Sequence, residues 1–361
     1  MTVMLGILPT RSRFRTTARA CPTPVDAIAR RPWDGVMATV GPDVVVVGNA
    51  GVDTNVYLPA GAALADLVRT EGHFASDLDY VGHPGAFTSR GFARLGLRTA
   101  FVGHVGADPL GQWVRAELAA DGIDLTGVGV DPAGTARSVN LMSADGSRVN
   151  FYDGRGHEDL RVDPVAAAPW FAGARLALFH LPNWARHLVP VARAAGAVVA
   201  CDLQDVHDPD EPYRRDFVRG ADILFASAAH HDDPVPMLAR LLAGGAGLVV
   251  CGRGRRGVLV ASARGVESFP PPELDLPIVD TNGAGDALAV GFLAAHVLQG
   301  RPIAAAVLRG QLAARWACAQ RASSSAPIDP AQLEEMLARL AGRAAAGAPP
   351  GADGRVPGRT G

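Results

Sequence analysis

The stretch IVDTNGAGDALAVGFLAAHVLQG, residues 278–300, governs how the rest of the chain is interpreted. The apolar, proline-bounded residues 277–279 just at its start predict a short buried strand. A glycine-containing turn follows over 280–286, and from Ala287 onward apolar residues recur at helical spacing. Backbone N–H groups at such a helix start, backed by the positive end of the helix dipole, bind anions. The stretch therefore predicts an anion site with an acid, Asp286, at its mouth.

Two interpretations of Asp286 follow from this stretch, and the stretch alone does not separate them. Aspartate is common at helix N-caps, so the residue can serve only to cap the helix. Alternatively, the carboxylate acts on a ligand that the loop holds. The remaining motifs of the chain have to decide between these two roles.

The composition bounds the class of protein. A chain of 361 residues can form one large or two modest domains. Its 48% hydrophobic and 6% aromatic content suits an α/β protein with an ample core. The net charge of −2 gives no reason to expect nucleic-acid or membrane partners. All the basic side chains are arginine or histidine, and the absence of lysine excludes a Walker P-loop, a Schiff-base enzyme and a protein kinase.

The four cysteines, Cys21, Cys201, Cys251 and Cys318, are far apart and form no CxxC pair. This spacing argues against a zinc site or a redox dithiol and favours the reduced thiols of a cytoplasmic protein. No apolar run is long enough to span a membrane.

The two ends of the chain differ from its centre. Residues 1–42 carry six arginines among Pro, Thr and Ala and predict a disordered leader, with Met37 as an alternative start and a transit peptide as the less favoured reading. Residues 341–361 are rich in Ala, Gly, Pro and Arg and predict a disordered tail. The folded domain is therefore expected over 43–340.

Strand and helix patterns alternate through this central region. The pattern predicts an α/β fold with a doubly wound, mostly parallel central sheet and helices on both faces. Asp53, Asn183 and Asp202 each follow a predicted strand, on the side where such sheets bind ligands. The predicted strands are 43–47, 99–105, 176–181, 197–201, 223–226 and 247–251, and the predicted helices include 88–95, 184–195, 236–243, 303–322 and 331–340.

Residues 137–152 interrupt the alternation, because two β-rich runs flank Asp145-Gly146, a strong hairpin signal. We expect a small β lid over the ligand site, built from about 54–60, 79–82 and 137–153. A decorative edge hairpin is the alternative. Such a lid can also pair two copies of the chain into a homodimer.

The segment 252–257 fits GxGxxG but is followed by a strand pattern rather than a helix. A dinucleotide fingerprint has to open a helix. The segment is therefore predicted to be a glycine turn between antiparallel strands, able to lie under a nucleotide.

Several motifs occur in an order that resembles the ribokinase-like (PfkB) carbohydrate and nucleoside kinase family over about residues 43–330. The most specific is Asp280-Thr281-Asn282-Gly283-Ala284-Gly285-Asp286. The segments 102–111 and 82–96 and the pair Gly48 and Asp53 match further family motifs in outline. Residues 269–285 are also similar to ketohexokinases.

The resemblance implies an ATP-dependent phosphotransferase that acts on a sugar-like hydroxyl. It makes Asp286 the general base and the amides of Gly283, Ala284 and Gly285 the anion hole. The implied contacts to substrate are Asp53, Gly85, Phe87 and Asn183. The implied contacts to the nucleotide are Thr281, Asn282, Gly254, Gly257 and Ser323. The chemistry agrees, since phosphoryl transfer needs positioning and charge stabilisation, and a positioned base adds about 10²–10⁴-fold.

Two departures from the family pattern concern substrate and metal. His83, Pro84 and Phe87 stand where the family usually has two glycines and an asparagine. The stretch 227–230 reads Ser-Ala-Ala-His where an Asn-x-x-Glu motif is usual. No residue is therefore assigned as a metal ligand. Mg²⁺ is expected on the nucleotide phosphates and water, with Asp202 as a substitute support, and a monovalent cation can assist near Asp280 and 323–325.

Three functions remain open from the sequence. The first is a sugar kinase that uses ATP and Mg²⁺. The second is a nucleoside kinase, in which Phe87 stacks on a base, although Phe more often packs inside a protein. The third is a non-catalytic sensor on the kinase scaffold, suggested by the lost Asn-x-x-Glu motif.

Overall fold

The computed structural model describes residues 41–59, 72–143 and 148–347. The predicted leader up to residue 40, the turn at Asp145-Gly146 and the tail from residue 348 lie outside these ranges. Within them, no helix combines the length and apolar character needed to cross a bilayer.

Thirteen strands and nine α-helices make up the described part of the chain. The strands are β1 (Val44–Val47), β2 (Gly51–Tyr57), β3 (Ser76–Gly82), β4 (Thr99–Val105), β5 (Asp124–Val130), β6 (Ala136–Met142), β7 (Arg148–Asp153), β8 (Leu176–Phe179), β9 (Val198–Asp205), β10 (Ile223–Ser227), β11 (Leu248–Gly252), β12 (Val258–Ser262) and β13 (Gly265–Phe269). The helices are α1 (Pro84–Arg94), α2 (Pro109–Ala120), α3 (Pro164–Ala167), α4 (Val189–Ala194), α5 (Arg215–Gly220), α6 (Val235–Ala243), α7 (Ala284–Leu293), α8 (Ile303–Cys318) and α9 (Pro330–Gly347).

The main sheet has nine strands in the order β13-β12-β11-β10-β9-β8-β1-β4-β5. Strands β4, β5, β1 and β8 to β11 pair in parallel, and only β12 and β13 are antiparallel to their neighbours. Separate apolar clusters pack on its two faces, one under α1, α2, α7 and α8 and the other under α4 to α6. Burial on both faces suits the continuous Val/Leu/Phe runs of its central strands. The predicted doubly wound sheet is confirmed.

A second sheet of four strands, in the order β3-β2-β6-β7, forms the predicted small lid. Strands β6 and β7 pair as an antiparallel hairpin, as the sequence predicted. Asp53 lies past the end of β1, as predicted, but within strand β2 of the lid, which begins at Gly51 rather than at about 54. Alternation within β2 then sends 53, 55 and 57 to one face, which we call the inner face of the lid.

Three other boundaries differ from the predictions. Residues 277–279 belong to no strand; instead Val279 N and Asp280 N donate to Cys318 O at the end of α8, at 2.7 and 3.2 Å. Helix α1 begins at Pro84 rather than 88, since proline suits the first helical turn. Helix α9 continues to Gly347, so a tail that starts at residue 341 is wrong for 341–347. The turn 254–257 does join antiparallel strands, β11 and β12.

Candidate active site

The candidate site lies at the carboxyl edge of the parallel strands, between the main sheet and the inner face of the lid. Its floor is the turn 280–286, which we call the anion loop. Helix α7 begins at Ala284, with Gly283 as its N-cap in a left-handed conformation, φ 75°. A Cβ on Gly283 would lie 2.0 Å from the ring of Phe87, so the position requires glycine for its conformation and for its space. Asp286 is the third helical residue and not the N-cap, so the capping interpretation of Asp286 is wrong.

The first turn of α7 opens onto free space. Gly285 is exposed, and apart from its own helix no described part of the chain lies within 4 Å of where its Cβ would be. N–H groups in the first turn of a helix have no carbonyl partner one turn earlier. Ala284 N donates to Thr281 O at 3.3 Å, and Gly285 adjoins a space that a phosphoryl group could fill. The anion hole at 283–285 stays a prediction.

Asp286 has the properties of a proton acceptor. Its Oδ1 is buried and has no hydrogen-bond partner among the described residues. Burial, followed by the nearby charge of Asp202, raises the pKa of the Asp286 carboxyl well above its usual range, while Arg148 of the lid opposes that rise. A raised pKa brings a carboxylate toward the range in which it accepts a proton at neutral pH.

Asp53 lies on the inner face of the lid and is held by His83. The His83 Nε2 atom is 3.2 Å from Asp53 Oδ1, and the His83 backbone N–H donates to Oδ2 at 3.4 Å. Burial alone would raise the pKa of Asp53, but the charge and hydrogen bonds of His83 outweigh it, so the pKa is lowered. Asp53 is therefore an ionised acceptor, fit to receive hydrogen bonds from substrate hydroxyl groups.

His83 was not assigned a site role from the sequence, although it was noted as a departure from the family pattern. It adopts a left-handed backbone, φ 70°, immediately before α1. Its Nε2 also lies 3.0 Å from Ser138 Oγ, and its ring packs edge-on against Tyr152 at 5.3 Å between centroids. Strain of this kind in a non-glycine residue is often found at ligand sites.

Three asparagines form a row across the lid, which we call the asparagine ladder: Asn55 of β2, Asn140 of β6 and Asn150 of β7. Strand register places them directly opposite one another. Asn150 Nδ2 donates to Asn140 Oδ1 at 2.8 Å, and Asn140 Nδ2 donates to Asn55 Oδ1 at 2.8 Å. Asn55 Nδ2 then donates to Asp280 Oδ2 at 2.7 Å. The ladder thus connects the outer strand of the lid to the anion loop.

Further hydrogen bonds fix the anion loop against the lid. Tyr57 OH donates to Asp280 Oδ2 at 3.1 Å, and Asn282 N donates to Asp280 Oδ1 at 2.7 Å. Asn282 Nδ2 donates to Tyr80 OH at 2.7 Å and lies 3.4 Å from Asp53 Oδ2. The Asn282 side chain therefore contacts the inner face of the lid, and its contact with the nucleotide stays a prediction.

Phe87, a predicted substrate contact, is mostly buried. Its ring is 7% exposed, lies edge-on to Tyr80 at 6.4 Å, and fills the space beside Gly283. The Phe87 ring therefore packs beneath the anion loop, and its contact with substrate stays a prediction.

Gly85 and Asn183 occupy different surroundings. Gly85 N donates to Asn49 O at 3.0 Å, and a Cβ on Gly85 would lie 2.5 Å from that carbonyl. Asn49 Nδ2 in turn donates to Tyr152 OH at 2.8 Å, so the Gly85 turn adjoins the lid. Asn183 Nδ2 donates to Glu158 O at 3.0 Å in the segment after β7, and its contact with substrate stays a prediction.

The predicted nucleotide side is formed by two turns. Gly254 and Gly257 have positive φ, of 54° and 84°, and a Cβ on Gly257 would lie 2.2 Å from Phe269 O. Ser323 Oγ donates to the backbone carbonyl of Asn282 at 2.5 Å and so joins the 323–325 turn to the anion loop. The nucleotide contacts of these residues and of Thr281 stay predictions.

Two buried polar residues lie together beside Asp286, and the sequence did not predict that they would be neighbours. His180 follows β8 and Asp202 lies in β9, with His180 Nδ1 3.7 Å from Asp202 Oδ2. Burial lowers the pKa of His180 to about 3, so its ring is neutral. Burial, with a smaller contribution from Asp205, raises the pKa of Asp202 to about 6. His180 carries no sequence signal beyond its place after a strand.

Comparison with known proteins identifies the family. The model of the pfkB family carbohydrate kinases matches residues 80–330. An acarbose 7(IV)-phosphotransferase of Actinoplanes sp. is 33% identical over 298 residues, 81% of this chain and 97% of that protein. A fructokinase of Klebsiella pneumoniae is 30% identical over 287 residues, 73% of this chain and 92% of its own.

A solved structure has the same fold at a similar identity. A microbiome-derived acarbose kinase superposes with a TM-score of 0.75 at 32% identity, covering 83% of this chain and all of the other. The motif at 280–286, the two-sheet architecture and these matches agree with one another. The chain belongs to the pfkB family of carbohydrate kinases.

Proposed function

We propose that this kinase transfers the terminal phosphoryl group of ATP to a hydroxyl of a sugar or oligosaccharide, with Asp286 as general base. The observation that carries the proposal is the buried Oδ1 atom of Asp286, which has no hydrogen-bond partner among the described residues and lies in the same helical turn as the exposed Gly285. Asp286 takes the proton of the acceptor hydroxyl, whose oxygen then attacks the phosphorus. The amides at 283–285 stabilise the charge that builds on the phosphoryl oxygens, where one donor contributes about 2.7–4 kcal/mol.

The residues present fit a nucleotide with its metal. Bound MgATP supplies the phosphoryl group and a divalent charge. The open space over Gly285 would receive the phosphates, and Gly254, Gly257 and Ser323 would border the nucleotide. With His230 where the family usually has glutamate, Mg²⁺ would rest on phosphate and water oxygens, which suits its preference for keeping several waters. A monovalent cation near Asp280 is a separate proposal, tested by comparing rates in K⁺ and Na⁺.

Substrate hydroxyls would bind to Asp53, with His83 holding that carboxylate in place. The relatives that phosphorylate acarbose and fructose make these two compounds the first acceptors to test. The nucleoside-kinase hypothesis depended on Phe87 stacking on a base, and the burial of its ring argues against that hypothesis. The intact arrangement around Asp286 argues against a non-catalytic sensor.

ADP release over a panel of acarbose, fructose, ribose and cytidine tests the proposal. Asp286→Asn should lower the rate with the best acceptor by about 10²–10⁴-fold while leaving the fold intact. Asp159→Asn, at a carboxylate in the segment after β7, is the matched control. A rate within tenfold of the wild type for Asp286→Asn would refute the base assignment.

We also propose that two copies pair through the outer face of the lid. Val139, Val149 and Phe151 are exposed there, at 36%, 40% and 58%, and Val139 is opposite Phe151 in the strand register. Light scattering after gel filtration should give a dimer mass for the wild type and a monomer mass for Phe151→Glu. A monomeric wild type would refute the pairing.

A further inference from the structure

Three potential metal ligands converge beside the anion loop. They are His180 after β8, Asp202 in β9 and Asp286 in the first turn of α7. One donor atom of each lies within 4.8 Å of the others. His180 is fully buried and Asp202 is 7% exposed. The group therefore combines a buried imidazole, a buried carboxylate and the partly exposed carboxylate of Asp286.

Hydrogen bonding fixes which nitrogen of His180 carries the proton. Thr88 Oγ1 donates its only hydrogen to Pro84 O at 2.8 Å. The 3.0 Å contact between Thr88 Oγ1 and His180 Nε2 must then run from the ring N–H to the hydroxyl oxygen. A neutral imidazole protonated at Nε2 has a lone pair at Nδ1. Nδ1 has no hydrogen-bond partner among the described residues, and it faces Asp202.

The three atoms that converge are all electron-pair donors. His180 Nδ1 carries a lone pair and lies 3.7 Å from Asp202 Oδ2, and both His180 Nδ1 and Asp286 Oδ1 are buried without a hydrogen-bond partner among the described residues. Leaving such groups unpaired in a buried position is costly. A cation at their centre would satisfy all of them together.

We propose that His180, Asp202 and Asp286 form a binding site for a first-row transition-metal dication such as Co²⁺, Mn²⁺ or Zn²⁺. Imidazole with carboxylates suits these ions, whereas Mg²⁺ prefers oxygen ligands and retained water. The Thr88 bond to the far ring nitrogen is the outer contact that ligating histidines usually make. Because ligand bonds are about 2.0–2.2 Å long, atoms as far as 4.8 Å apart would each have to move inward by up to roughly 0.6–0.8 Å.

An ion at this position would occupy the carboxylate that the proposed function gives to the acceptor hydroxyl. The site is therefore inhibitory, and this consequence rests on the proposed role of Asp286. Binding itself does not depend on that role. The two parts can be tested separately, because binding is measured without any substrate.

The binding test uses the full chain after treatment with EDTA, titrated with Co²⁺ by calorimetry and visible absorption. The wild type should bind one ion, and His180→Phe should bind it at least about tenfold more weakly. His296→Phe, which removes another buried histidine (5% exposed), should bind Co²⁺ like the wild type. Asp202→Asn should also weaken binding, and far-UV circular dichroism identifies any variant that does not fold.

Three results would overturn the proposal. They are a wild type that gives no Co²⁺ heat or absorption band, a folded His180→Phe that binds as tightly as the wild type, and Mg²⁺ binding as tight as that of Co²⁺. The first would indicate that a proton, not a metal, satisfies the cluster.

Inhibition of ADP release by Co²⁺ is then measured at saturating MgATP. Binding without inhibition would exclude Asp286 as a ligand, whereas a chain without kinase activity would refute the proposed function and leave the binding result standing.

Discussion

Substitution of the two glycines of the anion loop should separate stability from catalysis. Gly283 has a left-handed backbone and abuts Phe87, whereas Gly285 has ordinary helical surroundings and open space around it. In Gly283→Ala, a left-handed alanine costs about 1–2 kcal/mol. The methyl group, 2.0 Å from the Phe87 ring, adds about 1–3 kcal/mol of overpacking. The free energy of unfolding should therefore fall by about 2–5 kcal/mol.

Gly285→Ala should behave in the opposite way. Alanine favours a helix over glycine by up to about 1 kcal/mol, so the free energy of unfolding should be unchanged or slightly higher. The new methyl group would nevertheless stand in the space meant for the phosphoryl group. Misplacement of reacting groups by about 1 Å can cost about 10²-fold in rate, and we expect a loss of kcat of that order.

Urea unfolding and steady-state kinetics of both variants, with Gly283→Ala/Phe87→Leu as a third, measure these effects. The smaller leucine should relieve the overpacking, so the double variant should be more stable than the sum of the single changes by about 1–3 kcal/mol. Additivity within about 0.5 kcal/mol would refute the steric argument. A Gly285→Ala enzyme with wild-type kcat would refute the placement of the phosphoryl group.

Three further outcomes are expected. Folding raises the pKa of Asp286, so ionisation of this carboxyl opposes folding. In EDTA, Asp286→Asn should therefore unfold at a higher temperature than the wild type at pH 8, and the difference should shrink toward pH 3.8. A difference that does not change with pH would contradict the burial argument. Asn140→Leu leaves the amide groups of its neighbours without hydrogen-bond partners, at about 1–3 kcal/mol each. The free energy of unfolding measured in urea should therefore fall by about 2–4 kcal/mol. An unchanged midpoint of urea unfolding would contradict the role of the asparagine ladder. His83→Ala should raise KM for the sugar more than it lowers kcat, because Asp53 loses its partner, and the reverse pattern in initial-rate kinetics would assign His83 to the chemical step.

The features predictable from the sequence were those encoded in a local run of residues. Glycines at 283 and 285 followed by an apolar helical pattern were enough to predict the anion loop and the position of Asp286. The β-branched runs and intervening helices likewise predicted the doubly wound sheet. Each of these signals is contained within about one turn or one strand.

What could not be predicted depends on pairing between distant segments. Whether Asp53 ended a strand of the main sheet or belonged to the lid depended on the register of β2 with β3 and β6. The packing of Gly283 against Phe87 could not be predicted either, because the two residues are far apart in the chain. His180 was not assigned a role from the sequence for a similar reason. Its neighbours Thr88, Asp202 and Asp286 come from three separate elements, α1, β9 and α7.

The asparagine ladder has a consequence for the exchange of parts between related kinases. Because Asn55 ends the row on Asp280, the lid and the anion loop share hydrogen bonds that neither segment can make alone. A chimera that received a foreign lid would lose the donor to Asp280, and one that received a foreign loop would strand Asn55. A graft that keeps these hydrogen bonds therefore has to carry strands β2, β6 and β7 together with residues 280–282 as one unit.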